Sequence, residues 1–151
     1  MDSRLCQSTD IKLRGEVVVR VYQQGRLVNV KRYRNVITDV GLEHVCELLV
    51  GSTTVSFAYC GVGTGTSTPS PSDKALEAEL GRVACSERFR EAKTAVFLAW
   101  FGAEKQFNGS WRECGLFTAE TGGVMLARAG ISLEKTEDKT VLIEWRITLT
   151  R

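Results

Sequence analysis

The plainest pattern in the chain lies near its end. Val141, Ile143, Trp145, Ile147 and Leu149 take every second position, with Leu142, Glu144, Arg146, Thr148 and Thr150 between them. A period of two places the first set on one face of a β-strand and the more polar set on the other. The same period appears at residues 12–22, where Val17, Val19 and Val21 alternate with Val18 and Arg20. Gln23-Gln24-Gly25-Arg26 follows as a turn, because glycine accepts the positive φ of a tight reversal, and residues 27–36 return as a second strand. Val55, Phe57 and Tyr59 alternate in a strand that runs on to Val62. Residues 83–90 alternate weakly, and residues 94–101, 111–117 and 124–133 give further strands. Asn108-Gly109, Thr121-Gly122-Gly123 and the charged residues 134–139 are the turns between them.

Helical spacing occurs twice. Thr38-Asp39 offers an N-cap, Leu42, Val45, Cys46 and Leu49 follow at helical intervals, and Gly51 ends the run. That predicts a three-turn helix laying this stripe on a sheet, with His44, the only histidine, off the stripe and in solvent. Ser70-Pro71-Ser72-Asp73 reads as a capping box with proline at the first helical position, and Ala75, Leu76 and Leu80 predict a second short helix ended by Gly81. About seven to nine short strands with one or two short helices make an all-β fold, a mainly antiparallel β-sandwich or jelly-roll-like barrel. Residues 1–10 are polar and aperiodic and read as an N-terminal arm; residues 11–151 read as a single β-sandwich domain.

Composition narrows the class. With 43% hydrophobic and 25% charged residues the chain is neither disordered nor a membrane protein, and no apolar run reaches the ~20 residues of a spanning helix. Residues 1–10 lack the apolar core of a secretion signal, which predicts synthesis in the cytoplasm. A net charge of +2 is too small to imply nucleic acid by itself. Cys6, Cys46, Cys60, Cys85 and Cys114 form no close pair, so reduced and mostly buried thiols are expected.

Catalytic chemistry finds little support. Gly61-Val62-Gly63-Thr64-Gly65-Thr66 resembles a phosphate loop in its glycines, but it fits neither GxGxxG nor GxxxxGK[ST], and a further loop through Pro69 separates it from the expected helix. Its glycines instead suggest a tight turn or the close approach of another chain. One histidine without a cysteine pair makes no zinc site, and no GxSxG is present. Glu113, between Trp111, Arg112 and Cys114, is expected to be partly buried in a structural pair with an arginine such as Arg82 or Arg128. No catalytic, cofactor-binding or metal-binding residues are assigned, no cofactor is expected, and the chain reads as a non-enzyme.

Contact surfaces are better marked. Arg26, Lys31, Arg32 and Arg34 form the densest basic patch, which reads either as a solvated strand face or as a contact with something acidic. The loop carrying Gly63, Thr64, Gly65, Thr66 and Pro69 is the second candidate interface. Trp100, Phe101, Phe107, Trp111 and Phe117 coincide with apolar strand positions and are expected in the core or a subunit interface.

A resemblance joins these segments. Asn35-Val36-Ile37-Thr38-Asp39-Val40-Gly41-Leu42, then Tyr59-Cys60-Gly61-Val62-Gly63-Thr64-Gly65-Thr66, then residues 72–82, 111–117, 122–128 and Glu134-Lys135 together resemble a small β-rich structural domain of tailed-bacteriophage virion proteins, over about residues 15–150. Cys46, Cys60, Cys85 and Cys114 depart from the small or apolar residues expected there. No collagen-like or heptad shaft follows, which favours a capsid protein over a fibre. The resemblance implies a capsid decoration or cement protein that stabilises the shell; the alternative is a tail fibre, baseplate or tail adaptor accessory protein. Implied partners are other copies in a dimer or trimer and the major capsid protein or tail proteins, with no membrane and no specific nucleic acid. The implied location is the virion. A reading from another class is a carbohydrate-binding module using Trp100 or Trp111 as its platform.

Overall fold

The computed structural model describes residues 10–151. Ten strands form two five-stranded antiparallel sheets. The first contains β1 (Lys12–Gln23), β2 (Arg26–Arg34), β6 (Glu87–Glu91), β7 (Thr94–Phe101) and β10 (Lys139–Thr150), in the order β2-β1-β10-β7-β6. The second contains β3 (Val36–Ile37), β4 (Tyr59–Gly63), β5 (Glu79–Ala84), β8 (Gly109–Phe117) and β9 (Met125–Lys135), in the order β3-β9-β8-β4-β5. The fold is all-β, as the strand periodicity predicts. The expected N-terminal arm lies, Asp10 excepted, outside the described residues, as does Cys6.

The alternation in β10 sets the core. Val141, Ile143, Trp145 and Ile147 are buried, and so are Val17, Val19 and Val21 of β1, which pairs with β10 from Lys12↔Thr150 to Gln23↔Lys139. Facing them from the second sheet are Cys60, Val62, Trp111, Cys114, Leu116, Ala127 and Ala129. Phe101 meets both Phe107 and Trp111 edge-on, at 5.0 Å between ring centres in each case. Both buried indoles keep a partner: Trp111 Nε1 donates to Phe107 O at 2.7 Å, and Trp145 Nε1 to Cys60 Sγ at 3.2 Å. The β1–β2 turn has Gln24 and Gly25 at φ 52° and 76°, the two positive values a two-residue hairpin requires.

The single α-helix among the described residues, α1 (Asp39–Val50), is capped as expected: Thr38 Oγ1 accepts from Gly41 N, and Gly51 closes the end at φ 75°. Its buried face is different. Gly41 and His44 are buried, Val45 and Leu48 are partly buried against the core, and Leu42, Cys46 and Leu49 face solvent. The offset follows from Gly41, where a Cβ would come within 2.7 Å of Leu126 Cα, so the absence of a side chain is what lets the helix sit down on β9. His44, expected in solvent, is instead 7% exposed, with Nε2 2.6 Å from Val55 O and its ring edge-on to Phe57.

Three further expectations are corrected. The alternation of Val55, Phe57 and Tyr59 makes no strand before Tyr59, where β4 begins. No helix forms at residues 70–81; residues 79–81 already belong to β5, and residues 70–78 are an irregular strap. Its Asp73 carboxylate accepts from Ser70 N and from Arg128, and the N–H groups of Glu77 and Ala78 go to Glu113, so tertiary partners take the groups a helix would have used. The weak strand expected at 83–90 is two strands in different sheets. The chain crosses over at Cys85-Ser86, where Cys85 N still donates to Ala58 O in one sheet and Ser86 N to Leu98 O in the other.

Candidate functional site

The two sequence-marked surfaces end up on different sheets. Gly63 ends β4, Thr64, Gly65, Thr66 and Pro69 belong to the strap that covers the outer face of the second sheet, and Glu113 holds that strap in place. The Glu113 carboxylate is fully buried: Oε2 accepts from Gly65 N and Ala78 N, and Oε1 from Glu77 N, each at 2.8 Å. Arg128, on the neighbouring strand, donates to Oε1 at 3.1 Å and reaches on to Asp73 and Ser67. Of the two arginines expected as partners of Glu113, Arg128 takes the role. Arg82 instead lies 3.4 Å above the Phe117 ring, pairs with Glu79 and donates to the carbonyls of Ala119 and Gly122.

Gly63 and Gly65 are buried, and a Cβ at either would lie within 2.6 Å of the Glu113 carboxylate. The close approach their spacing suggests is made by the chain's own residues 77 and 78 and by Glu113. Pro69 rests near Gly130, and only Thr64 and Thr66 of the five present themselves to solvent.

Arg26, Lys31, Arg32 and Arg34 all lie on β2, which is the outermost strand of the first sheet and is exposed along almost all its length. Three apolar residues, Leu27, Val28 and Val30, are 50%, 53% and 44% exposed on the same strand. It is the longest sheet edge among the described residues; β6, β3 and β5 are shorter, and β6 carries two acids and two arginines. Four cations and the bulge opposite Val21 and Tyr22 blunt this long edge against like strands, while the same cations leave it suited to an acidic partner.

At the Arg34 end of β2 a cleft of about 730 Å³ opens, with Arg14, Arg32, Arg34 and Arg146 in its lining and Glu16 as its one carboxylate. Arg14 and Arg146, which the basic-patch reading does not include, reach this cleft because β1 lies beside β2 in the sheet and β10 beside β1. Arg32 pairs with Glu16 at 2.8 Å, and Arg146 with Glu91 and Glu144. Hydrogen bonds to Glu91 and Glu144 raise the affinity of Arg146 for its proton. Burial pushes the Glu144 carboxyl up, but Arg20 and Arg146 outweigh it and hold it below its ordinary range. Among the described residues Arg14 and Arg34 make no ion pair. The cleft wall also includes Asn35, whose side-chain oxygen and nitrogen are both buried without a hydrogen-bond partner.

Trp111 is fully buried and offers no platform, whereas Trp100 is 44% exposed and lies against Tyr22, 5.5 Å between ring centres. Of the described cysteines, Cys60 and Cys114 are buried, Cys85 is half-buried and Cys46 is exposed. Burial raises the Cys60 and Cys114 thiols well above the usual range and Cys85 to about 11. Among the described residues no group of three or more His, Cys, Asp or Glu side chains is placed to hold a metal ion, and no helix is long and apolar enough to cross a membrane.

Comparison with protein-family models, with curated proteins and with solved structures finds no match to this chain.

Proposed function

We propose that this chain is a non-enzymatic structural protein of a bacteriophage virion, a capsid decoration or cement protein that attaches to the shell through β2 and stabilises it. The observation that carries the attachment is the nine-residue edge strand with four cations, no carboxylate and three exposed apolar side chains. The motif resemblance described above supplies the virion setting. Attachment of many copies, each through a modest contact, adds up by avidity, and self-association into a dimer or trimer would multiply it. A tail fibre, baseplate or tail adaptor role uses the same contact at far fewer copies.

Purified particles lacking the protein should release their genome at a lower temperature than complete ones; equal heat stability would end the cementing role. Gel densitometry of complete particles separates the two locations, with hundreds of copies expected for decoration and tens or fewer for a tail protein. Replacing Arg32 and Arg34 by Ala should weaken attachment and flatten its dependence on salt.

The exposed Trp100 beside Tyr22 favours a second reading, a carbohydrate-binding face. Titration with host polysaccharide should then change tryptophan emission in wild type but not in Trp100→Ala. An unchanged wild-type spectrum would remove this reading.

A further inference from the structure

The backbone of β2 says which chemistry its partner should have. Asn35 N–H donates to Gly15 O at 3.3 Å, which makes Asn35 and Gly15 a hydrogen-bonded pair in the antiparallel register that matches Glu16 with Arg34. Hydrogen-bonded and non-bonded pairs alternate in such a ladder. Tyr33 and Lys31 therefore turn their N–H and C=O groups inward to Val17 and Val19, while Arg34, Arg32 and Val30 turn theirs away from β1. The far side of the sheet agrees with this phase. Leu149 N donates to Lys93 O, so Ile147 and Trp145 bond towards β7, which leaves Arg146 and Glu144 to bond towards Glu16 and Val18 of β1. Three residues of β2 thus present three donors and three acceptors to whatever lies alongside.

The same three residues share one face of the sheet, and two of them are arginines. In an added antiparallel strand, the residue directly opposite each outward-turned position exchanges both hydrogen bonds with it and shares its face. Positions opposite Arg34 and Arg32 favour carboxylates, and the position opposite Val30, which is 44% exposed, favours an aliphatic side chain. A second copy of β2 fits poorly. Residues 26–34 contain four cations and no acid, and a two-fold pairing centred on Arg32 would set Arg32 against Arg32. We infer that β2 binds an acidic extended segment of another protein as an added antiparallel strand, with the pattern acidic-x-acidic-x-aliphatic. This deepens the attachment proposed above and rests on β2 being the attaching strand; the occupant is a protein segment, not nucleic acid.

The test uses the full-length chain and a labelled peptide containing Glu-Thr-Glu-Thr-Val, followed by fluorescence anisotropy. Saturable binding that weakens with salt is expected, with at least tenfold weaker binding of Lys-Thr-Lys-Thr-Val. The variant R32E/R34E should reverse that preference. Val30→Pro removes one outward N–H and no charge, at an edge position where β1 loses no bond, and should reduce binding at least tenfold. Should Val30→Pro fold poorly, hydrogen exchange on wild type answers the same question: peptide should slow the amides of Val30, Arg32 and Arg34 and leave Lys31 and Tyr33 unchanged. No binding, unaltered binding by folded Val30→Pro, uniform protection, or equal affinity for a single-stranded dT ten-mer would each overturn strand addition. If R32A/R34A particles lose the protein while strand addition is overturned, attachment through β2 stands without it. If the peptide pairs with β2 but particles carry no copies of the chain, the virion assignment falls alone.

Discussion

Removing the Glu113 carboxylate would strand the N–H groups of Gly65, Glu77 and Ala78 at once and take from Arg128 the more deeply buried of its two carboxylates, leaving it Asp73 and Ser67. Breaking a buried pair by losing one partner costs about 3–5 kcal/mol, and a buried donor left without an acceptor about 1–3 kcal/mol. Glu113→Ala should therefore lower the urea midpoint by an amount equivalent to about 4 kcal/mol. An isolated buried ion pair can often be replaced by apolar residues at little cost. Here Glu113→Leu with Arg128→Met should stay at least about 2 kcal/mol below wild type, because the backbone donors remain. Recovery of wild-type stability by the double variant would show that the strap does not depend on the carboxylate. The sequence singles out Glu113 as a structural partner because a carboxylate among Trp111, Arg112 and Cys114 in a strand has to be paired. What it hides is the three backbone donors, since these come from a stretch whose local signals spell a helix.

At the scale of elements, α1 shows how one residue moves a whole interface. A stripe chosen for hydrophobicity selects Leu42, Val45, Cys46 and Leu49, yet the packed face centres on Gly41 and His44. Glycine contributes no hydrophobic signal, and its role is to remove an obstacle. Gly41→Ala would force a Cβ to within about 3 Å of Leu126 backbone atoms, which cannot step aside as a side-chain tip would. The variant should lose about 1–3 kcal/mol, typical of overpacking, although alanine is the better helix former. Calorimetry checks this, and an unchanged or higher Tm would mean the helix does not depend on its seat against β9. The strands themselves are largely legible, since period-two patterns are local; the hairpin turn, the cap at Thr38 and the stop at Gly51 are as well. The split of residues 83–90 between two sheets is not, because nothing in a weak alternation says when the chain changes partners.

For the whole molecule, strand order is the least legible level and the most consequential. The four basic residues of β2 are plain in the sequence, but their place at an open edge depends on β1 choosing β10, more than a hundred residues away, as its other neighbour. The addition of Arg14 and Arg146 to the cleft follows from the same choice. Pairing of the first strand with the last also has a topological result. Lys12 lies directly across the ladder from Thr150, so both ends of the described fold emerge at one place, about 5 Å apart in such a pair. The described fold is therefore almost a closed ring. A short designed linker could join Arg151 to Asp10, with new ends opened in the exposed turn between Gln24 and Gly25. Such a circular permutant should fold with nearly the parent circular dichroism and a Tm within a few degrees. It would free the basic edge strand from its hairpin tether while keeping every strand neighbour, leaving the edge held to β1 by its ladder and to the rest of the chain through Asn35 alone.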